Sequence, residues 1–414
     1  MLVRCVVCGE VFDDSELVCP VCGAGPESFV PVSSPSKDSA GSTSRRFVIL
    51  GGGAAAVNAA LAIRNADEGA AISLYSNEAY LPYNRPMLTK GLLGDLSEER
   101  LAIHDRAFYK QMRIDVHLGM EAFSIQRDMK AVIFTDSSAA FYDKLVYAMG
   151  SNAFIPPIEG SKNSNVFSIR SLDDARSLKA RLGQAHKAVV IGAGVLGLEA
   201  AWAFSQAGIE TCVLDNAAVL LAGKIDLRFS EALAKKALEH KVTILPSASA
   251  VRINEDSVEL ADSRRLEADL VVISTGVRAR SLIAQLAGLE VQRAVVVDKL
   301  FRTSDPDILA CGDCAQCDGV SSSLWSQAVA QAQAAGQSAA TGSCAAIGTP
   351  VYPMTLSAFS TTLFTVGKKT EDSRLESLNG NMCAYYYEDS KLVGATLLGN
   401  VGKEISYVIR TMNL

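Results

Sequence analysis

Two segments of the chain share one order of apolar and small residues. Each begins with a continuous apolar run of strand length, Phe47–Leu50 in the first and Ala188–Ile191 in the second. Each then passes through a glycine-rich turn into a stretch of small and apolar residues that permits a helix. A strand, a glycine turn and a helix in this order begin a nucleotide-binding βαβ unit. The pattern therefore predicts an α/β fold with two Rossmann-like units.

The first turn reads Gly51-x-Gly53-x-x-Ala56. Glycines at these positions allow a tight turn and a close approach of the backbone to a pyrophosphate. The helix that follows directs free N–H groups and the positive end of its dipole at the phosphates. Glu78 is the first acid after the next apolar strand, where it can accept hydrogen bonds from a ribose. This unit is predicted to bind a dinucleotide.

The second turn is a complete G-x-G-x-x-G motif formed by Gly192, Gly194 and Gly197. Its next strand ends at Asp215, and the nearest base after that acid is Lys224. An acid at this place bonds the ribose 2′-hydroxyl and repels a 2′-phosphate. The second unit is therefore predicted to bind NADH, with NADPH as the alternative.

Four cysteines crowd the first 22 residues in two C-x-x-C-G knuckles, formed by Cys5, Cys8, Cys19 and Cys22. Four thiolates at this spacing suit a tetrahedral metal site better than a pair of disulfides. Both iron and zinc accept such a site. Because residues 1–30 contain few apolar residues, we expect the metal to supply the folding energy of this segment.

The knuckle segment resembles short rubredoxin-like domains in Cys8-Gly9 and in the run Cys19–Gly25 followed by Phe29. It differs from them at Glu10, where an aromatic residue often stands. The resemblance implies an Fe(Cys)₄ site, and a zinc ribbon remains the alternative. Residues 31–45 are rich in Ser, Pro and Gly and are predicted to form a flexible linker that keeps this domain close to the rest of the chain.

The segment Pro82–Lys90, Pro-Tyr-Asn-Arg-Pro-Met-Leu-Thr-Lys, follows the first unit. It resembles the FAD-dependent pyridine-nucleotide reductases of the rubredoxin, ferredoxin and nitrite-reductase type. The resemblance implies that Arg85 and Pro86 line the flavin and that Lys90 lies near flavin N5. A fixed cation there stabilises the reduced, anionic flavin.

Further residues gain roles from the same resemblance. The run Thr303–Ala315 resembles the second FAD signature, which implies that Asp313 bonds the ribityl chain. Trp325 is expected to cap the flavin ring, and Gly276 is assigned to cofactor binding on the strand that returns the chain to the FAD domain. Glu199 is expected at the junction of nicotinamide and flavin, paired with Lys90. Its alternative role is that of a helix N-terminal acid favoured by the dipole.

The resemblance implies a fold of the glutathione-reductase type with five parts. These are a rubredoxin-like metal domain at 1–30, a linker at 31–45, an FAD-binding domain at 46–165 and 270–345, an NAD-binding domain at 166–269, and a C-terminal α+β domain at 346–414. Local patterns also predict a helix over 97–112, a helix from a capping box at Ser171 to about Leu182, strands within 355–366, 382–387 and 392–398, and a closing helix from about Lys403.

Composition removes several classes of function. The net charge of −6 provides no basic field for nucleic acid, and no apolar run reaches the ~18 residues of a membrane span. The first residues lack the organisation of a signal peptide, so we expect a cytoplasmic protein. No cysteine lies between Cys22 and Cys212, which excludes a redox disulfide or single catalytic thiol beside the first unit. Cys311, Cys314 and Cys317 are expected to be buried or incidental thiols.

The sequence therefore predicts an NADH-dependent FAD flavoprotein that passes electrons to a rubredoxin-type iron acceptor, fused, separate or both. An oxygen- or peroxide-reducing protein is the expected downstream partner, and a homodimer is possible. One alternative is an electron-transfer subunit of a larger oxidoreductase, with a zinc ribbon for docking. Another is a flavin NADH oxidase that reduces O₂ directly.

Overall fold

A computed structural model of the chain describes residues 2–5, 7, 11–13, 15–20, 22–31, 45–321, 323–345, 351–378 and 380–414. Cys8 and nearly all of the predicted linker lie outside these described residues. Their α-helices are α1 (Ala54–Ala66), α2 (Met87–Lys90), α3 (Glu98–Leu101), α4 (Arg106–Gln111), α5 (Leu172–Leu182), α6 (Val195–Gln206), α7 (Leu227–Glu239), α8 (Leu282–Leu286), α9 (Trp325–Thr341) and α10 (Gly402–Met412).

The strands of the described residues are β1 (Leu2–Cys5), β2 (Val11–Asp13), β3 (Phe29–Pro31), β4 (Arg46–Leu50), β5 (Ala71–Tyr75), β6 (Ile114–His117), β7 (Ala122–Gln126), β8 (Ala131–Phe134), β9 (Ala139–Phe141), β10 (Lys144–Tyr147), β11 (Ser151–Ala153), β12 (Val166–Phe167), β13 (Lys187–Ile191), β14 (Glu210–Leu214), β15 (Val242–Leu245), β16 (Ala250–Ile253), β17 (Ser257–Leu260), β18 (Arg265–Glu267), β19 (Leu270–Ile273), β20 (Val277–Ala279), β21 (Val295–Val297), β22 (Ile308–Ala310), β23 (Ala315–Cys317), β24 (Met354–Ala358), β25 (Thr361–Gly367), β26 (Ser373–Leu378), β27 (Asn381–Glu388) and β28 (Lys391–Gly399).

Two five-stranded parallel sheets carry the two predicted units. Their strand orders are β22-β10-β4-β5-β6 and β12-β19-β13-β14-β15. The strand that leads into a glycine turn, β4 or β13, lies at the centre of each sheet. Because parallel strands share a direction, each glycine turn lies at the carboxyl edge of its sheet, where nucleotides bind in such folds. The prediction of two Rossmann-like units is confirmed.

Small residues let helix α9 pack closely on α1 in the first unit. A Cβ atom at Gly336 of α9 would lie 2.4 Å from the backbone oxygen of Ala59 in α1. Ala56 and Ala335 are fully buried in the same core. The glycine therefore lets the two helices come into backbone contact.

The boundary between the two nucleotide units differs from the prediction at residue 270. Strand β19 pairs in parallel with β13 and belongs to the second sheet. The chain re-enters the first unit only afterwards, where β20 pairs with β11. The physical reason is its strand pairing: the buried run Leu-Val-Val-Ile suits the interior of either parallel sheet, and its hydrogen bonds to β12 and β13 place it in the second.

The single helix predicted over 97–112 is two short helices. The backbone leaves helical geometry at Ala102, which pairs with Tyr83 through a β-bridge. Asp105 then caps α4 by accepting a hydrogen bond of 2.7 Å from the N–H of Phe108. The capping aspartate favours a new helix start at a point where apolar spacing alone suggests continuity.

The C-terminal part is an antiparallel sheet, in the order β24-β25-β28-β27-β26, with α10 packed against it. The run predicted over 355–366 divides into the antiparallel strands β24 and β25, the runs predicted over 382–387 and 392–398 lie in β27 and β28, the closing helix is α10, and β26 was not foreseen. Its residues, Ser-Arg-Leu-Glu-Ser-Leu, are mostly polar because it is an edge strand of the sheet.

The N-terminal knuckle forms a small sheet, β2-β1-β3, and shares a hydrophobic core with the C-terminal part. Cys5 and Ala24 are fully buried in that core, together with Val401, Ile405 and Val408. The expectation that a metal alone must supply the folding energy of this segment is therefore revised, because a second domain also buries its apolar side chains. Within the described ranges, no helix combines the length and hydropathy needed to cross a membrane.

Candidate active site and metal centre

A cavity of about 680 Å³ lies where the first glycine turn, the segment 82–90 and helix α6 meet. Nine of the residues predicted for cofactor or catalytic roles line it: Gly51, Gly53, Glu78, Arg85, Pro86, Lys90, Glu199, Asp313 and Trp325. Tertiary folding thus gathers residues from four distant segments of sequence around one space. The predicted residues of the second unit, Gly192, Gly194, Gly197, Asp215 and Gly276, lie outside the lining of this cavity.

The first glycine turn leaves its backbone open to the cavity. Gly51 has φ +136°, and a Cβ atom there would lie 2.1 Å from the backbone oxygen of Ala148. Gly53 begins α1 as its N-cap, and a Cβ atom there would have only Arg85 Nε within 4 Å, at 3.9 Å. Ala56 is fully buried beneath the turn, so the helix packs closely at that point. This arrangement fits a pyrophosphate held by the N-terminus of α1.

A polar network fixes Glu78 at the cavity wall. Tyr83 donates its hydroxyl to Glu78 Oε2 at 2.6 Å, and Arg85 forms an ion pair with Glu78 Oε1. Arg85 also donates to the Tyr83 hydroxyl at 2.9 Å. Burial raises the pKa of Tyr83, so its hydroxyl stays protonated at neutral pH. The carboxylate of Glu78 is therefore held in a set orientation, as a ribose acceptor requires.

Asp313 is oriented by two residues that the sequence reasoning missed. Arg170 donates to Asp313 Oδ2 at 2.7 Å, and the hydroxyl of Ser151 donates to the same oxygen at 2.7 Å. Arg170 also donates to the backbone oxygen of Ser151 at 2.9 Å. Both residues line the cavity. No local motif marks them, because each reaches Asp313 across more than 140 residues of sequence.

Glu199 lies in α6 and is buried against the segment 82–90. The hydroxyl of Thr89 donates to Glu199 Oε2 at 2.5 Å. Burial raises the pKa of Glu199, while the nearby charge of Lys90 and the bond from Thr89 oppose that rise. The carboxylate therefore lies at the cavity within the influence of the charge of Lys90, and Glu199 stands beyond the first turn of α6, where the helix dipole would favour an acid most.

The knuckle supplies one wall of the same cavity. Val7 and Cys22 line it alongside Lys90 and Glu199. The ammonium group of Lys90 lies 3.4 Å from the backbone oxygen of Pro20, which stands between the metal-ligand candidates Cys19 and Cys22. The candidate metal centre and the candidate flavin site are therefore direct neighbours.

Three of the four predicted metal ligands converge. The sulphurs of Cys5, Cys19 and Cys22 all lie within 4.8 Å of one another, and the Cys5 and Cys22 sulphurs are 3.6 Å apart. A tetrahedral site with metal–sulphur bonds of ~2.3 Å places its sulphurs roughly 3.8 Å apart. The donor set thus fits an iron or zinc ion, with Cys8, outside the described residues, as the predicted fourth ligand.

The second glycine turn has the close contacts that require glycine. Gly192 has φ +112°, and a Cβ atom there would lie 2.3 Å from the backbone oxygen of Ser274. A Cβ atom at Gly197 would lie 2.1 Å from the backbone oxygen of Gly192. Gly194 is the N-cap of α6. The turn is therefore compact, and the N-terminus of α6 stands open for a second pyrophosphate.

Asp215 supports this turn from the neighbouring strand. Its Oδ2 accepts a hydrogen bond of 2.7 Å from the N–H of Ala193, and its Oδ1 accepts one of 2.8 Å from the N–H of Ala217. Gly276, with φ +101°, follows β19 at the same edge of the sheet. Asp215, the predicted ribose acceptor, thus also stabilises the loop that would hold the phosphates.

The run of three later cysteines forms no comparable cluster. Burial raises the pKa of Cys314 to about 12 and that of Cys311 well above its ordinary value. Among the described residues, the knuckle cysteines are the ones whose ligand atoms converge as a metal site needs. Cys311 and Cys314 are therefore buried, protonated thiols beneath the Asp313 turn, as predicted.

Comparisons with known proteins agree with this geometry. The family model for pyridine nucleotide-disulphide oxidoreductases matches residues 45–339. The chain is 34% identical over 252 residues to the large subunit of nitrite reductase (NADH) from Escherichia coli (strain K12), covering 59% of this chain and 30% of that subunit. It is 32% identical over 275 residues to rubredoxin-NAD(+) reductase from Pseudomonas putida, covering 65% of this chain and 71% of that protein.

Among solved structures, a ferredoxin reductase from Rhodopseudomonas palustris shares the fold with a TM-score of 0.81 and 25% identity, over 86% of this chain and 91% of that chain. The chain spans less than a third of the length of the E. coli relative. The family match, by contrast, includes both glycine turns and the Asp313 turn. The chain therefore belongs to the pyridine nucleotide-disulphide oxidoreductase family.

Proposed function

We propose that this protein is an NADH-dependent FAD flavoprotein that delivers electrons to a one-electron iron centre held by its own N-terminal cysteines. One observation carries the proposal. Cys22 of the metal site and Lys90 and Glu199 of the flavin site line the same cavity. A flavin enzyme that reduced only a distant partner would have no need of a thiolate metal site in that wall.

The residues around the cavity have separate tasks. Gly51 and Gly53 receive the pyrophosphate of FAD, Asp313 holds its ribityl chain, and Lys90 provides a positive charge beside the ring. When bound, FAD supplies the conversion between two-electron hydride transfer and one-electron transfer. Glu199, only 9% exposed, places its carboxylate near the charge of Lys90, at the expected junction of nicotinamide and flavin.

The electron balance defines the acceptor. Oxidation of one NADH to NAD⁺ releases one proton and two electrons, whereas an Fe(Cys)₄ centre changes between Fe³⁺ and Fe²⁺ by one electron. Each NADH therefore reduces the centre twice, and a separate one-electron acceptor must reoxidise it between the two reductions. A rubredoxin-like protein or an oxygen- or peroxide-reducing metalloprotein has the required chemistry.

The preference for NADH rests on Asp215. Its carboxylate stands at the carboxyl edge of β14, where a ribose 2′-phosphate would meet a negative charge.

The assignment of a metal centre as the electron acceptor rests on the cysteines near the cavity. Among the described residues that line the cavity, Cys22 is the cysteine, and its sulphur belongs to the cluster of three that suits a metal ion.

A second function is favoured by the likeness to the E. coli nitrite reductase large subunit. In that case the chain would feed electrons to a larger oxidoreductase, and the cysteine site would hold zinc and act in docking. The two functions differ in the metal, because zinc has no redox chemistry.

An anaerobic titration of the purified protein with NADH, combined with metal analysis, decides between them. We expect one iron per chain and a visible band beyond the flavin absorption that bleaches as NADH is added. A Cys5→Ser variant, which lacks one ligand, should lose that band and keep the flavin spectrum. Zinc in place of iron, or iron that stays oxidised while the flavin is reduced, would refute the proposal.

A further inference from the structure

The knuckle is seated on the C-terminal part through an extensive apolar seam. On the knuckle side, Cys5, Val7, Cys22 and Ala24 are at most 3% exposed. The same apolar cluster includes, on the other side, buried residues of β25, β27, β28 and α10 and Val401 directly before α10: Phe364, Val366, Cys383, Tyr385, Ala395, Leu397, Val401, Ile405, Val408 and Ile409. We call this second surface the cradle. Contacts between domains that separate and rejoin are more polar than this seam.

A polar contact at the edge of the seam fixes the orientation of the knuckle. Ser406 of α10 donates a hydrogen bond to the carboxylate of Glu27, although 379 residues separate them. The bond from Ser406 lowers the pKa of Glu27, and the positive charge of Arg410 adds to that effect. Ser406 itself is 1% exposed. Glu27 is thus an anion held by α10 at neutral pH.

The face of the knuckle that packs in the cradle also lines the flavin cavity. Cys22 contributes both to the seam and to the wall of the flavin cavity. Lys90 reaches the backbone oxygen of Pro20 from the opposite wall. Any protein that approached the flavin through this side would therefore meet the knuckle first.

We propose that the knuckle is permanently docked in the cradle. Its metal centre then keeps a fixed position between the flavin and external acceptors, and electron transfer requires no movement of the knuckle on its linker. The proposal rests on the proposed function for its redox part. It identifies the first acceptor of the flavin's electrons as the knuckle of the same chain. A separate one-electron acceptor protein that approaches from this side takes its electrons from the knuckle.

A charge reversal at Glu27 tests the docking in the full-length protein. Glu27→Lys places a cation near Arg410 and removes the acceptor of Ser406, while it changes no metal ligand and no apolar core residue. Glu16→Lys is the matched control, since Glu16 is an exposed acid of the same knuckle and makes the same change in charge. The double variant Glu27→Lys with Arg410→Glu restores an opposite-charge pair. Metal content is measured in all three variants to establish that the knuckle is intact.

The first readout is hydrogen exchange at the amides of residues 402–412, which does not depend on activity. We expect exchange to be roughly tenfold faster in Glu27→Lys, unchanged in Glu16→Lys and slowed again in the double variant. The second readout is reduction of the iron after anaerobic mixing with NADH. Its rate constant should be independent of protein concentration in the wild type and fall about tenfold in Glu27→Lys, while flavin reduction is unchanged.

Two results would overturn the inference. In the first, the amides of α10 exchange as slowly in Glu27→Lys as they do in the wild type and in Glu16→Lys. The other is an iron-reduction rate that rises in proportion to protein concentration, because this would show that electrons pass between molecules. If the site holds zinc, the proposed function fails, and the exchange experiment still decides whether the knuckle is docked.

Discussion

The hydroxyl of Thr89 donates a hydrogen bond of 2.5 Å to the carboxylate of Glu199, joining the flavin-side segment to the first turns of helix α6. Both residues are buried, at 2% and 9% exposure. Burial raises the pKa of Glu199, whereas the bond from Thr89 holds it down. The hydrogen bond from Thr89 therefore orients the carboxylate of Glu199 and favours its charged form.

Replacing Thr89 by valine keeps the size of the side chain and removes this bond. We expect flavin reduction by NADH to slow about tenfold, because a buried hydrogen bond to a carboxylate is worth on the order of 1.5–3 kcal/mol. The apparent pKa in the pH profile of that step should also rise. Thr89→Ser, which retains the hydroxyl, is the control. A wild-type rate and pH profile in Thr89→Val would remove Thr89 from the site.

Lys90→Met tests the cation beside the flavin. Loss of the positive charge should make the reduced flavin less stable, so the midpoint potential of the flavin should fall and its reduction by NADH should slow by roughly tenfold or more. Potentiometric titration and anaerobic stopped-flow measure the two effects. Lys110→Met, at an exposed position on α4, should leave both unchanged. Equal behaviour of the two variants would contradict the role of Lys90.

Asp215 is predicted both to accept a hydrogen bond from the ribose and to support the second glycine turn, and two substitutions separate these roles. Asp215→Asn keeps an acceptor for the N–H of Ala193 and removes the charge, so affinity for NADPH should rise relative to NADH. Asp215→Ala also removes support from the glycine turn, and we expect it to weaken NADH binding by about tenfold. Dissociation constants for both nucleotides provide the measurement. An equal loss for NADH and NADPH in both variants would show that Asp215 acts on the loop alone.

His104 gives a prediction for stability against pH. Burial lowers its pKa from the ordinary 6.5 to about 4, and its ring stacks on Phe108 at a centroid distance of 3.7 Å. Between pH 6.5 and 4 the unfolded chain binds a proton that the folded chain does not, so stability falls as the pH is lowered through this range.

The variant His104→Phe keeps a ring at this position and has no proton to bind. Relative to it, the wild type should lose on the order of 2 kcal/mol of unfolding free energy between pH 7 and pH 4. Denaturant unfolding at several pH values provides the measurement. Parallel pH dependence in the two proteins would contradict a buried neutral His104.

The local parts of the nucleotide sites could be predicted because each is formed by residues that are close together in the sequence. A buried strand, a glycine turn and a small-residue helix specify one another within about 20 positions, so Gly51, Gly53, Gly192, Gly194 and Gly197 fall at the predicted turns. The capping box at Ser171 is local in the same way, and α5 begins directly after it, as predicted.

Predictions that depended on continuity between local signals were less accurate. The apolar spacing of residues 97–112 fits one helix, yet the pairing of Ala102 with Tyr83 and the cap of Asp105 divide it into two. The apolar run of β19 could belong to either sheet by composition, and its pairing with β13 decided for the second. In each case a competing contact from another segment determined the result.

The sequence by itself determined the two glycine-turn βαβ units and the cysteine spacing that suits a metal, because those features depend on residue types at fixed short spacings. Only the tertiary structure decided that Arg170 and Ser151 orient Asp313, that Thr89 holds Glu199, and that the knuckle is seated on α10 beside Lys90. The physical reason is distance along the chain. These contacts join residues 70 to 379 positions apart, and apolar burial and hydrogen bonding select such partners only once the whole fold has formed.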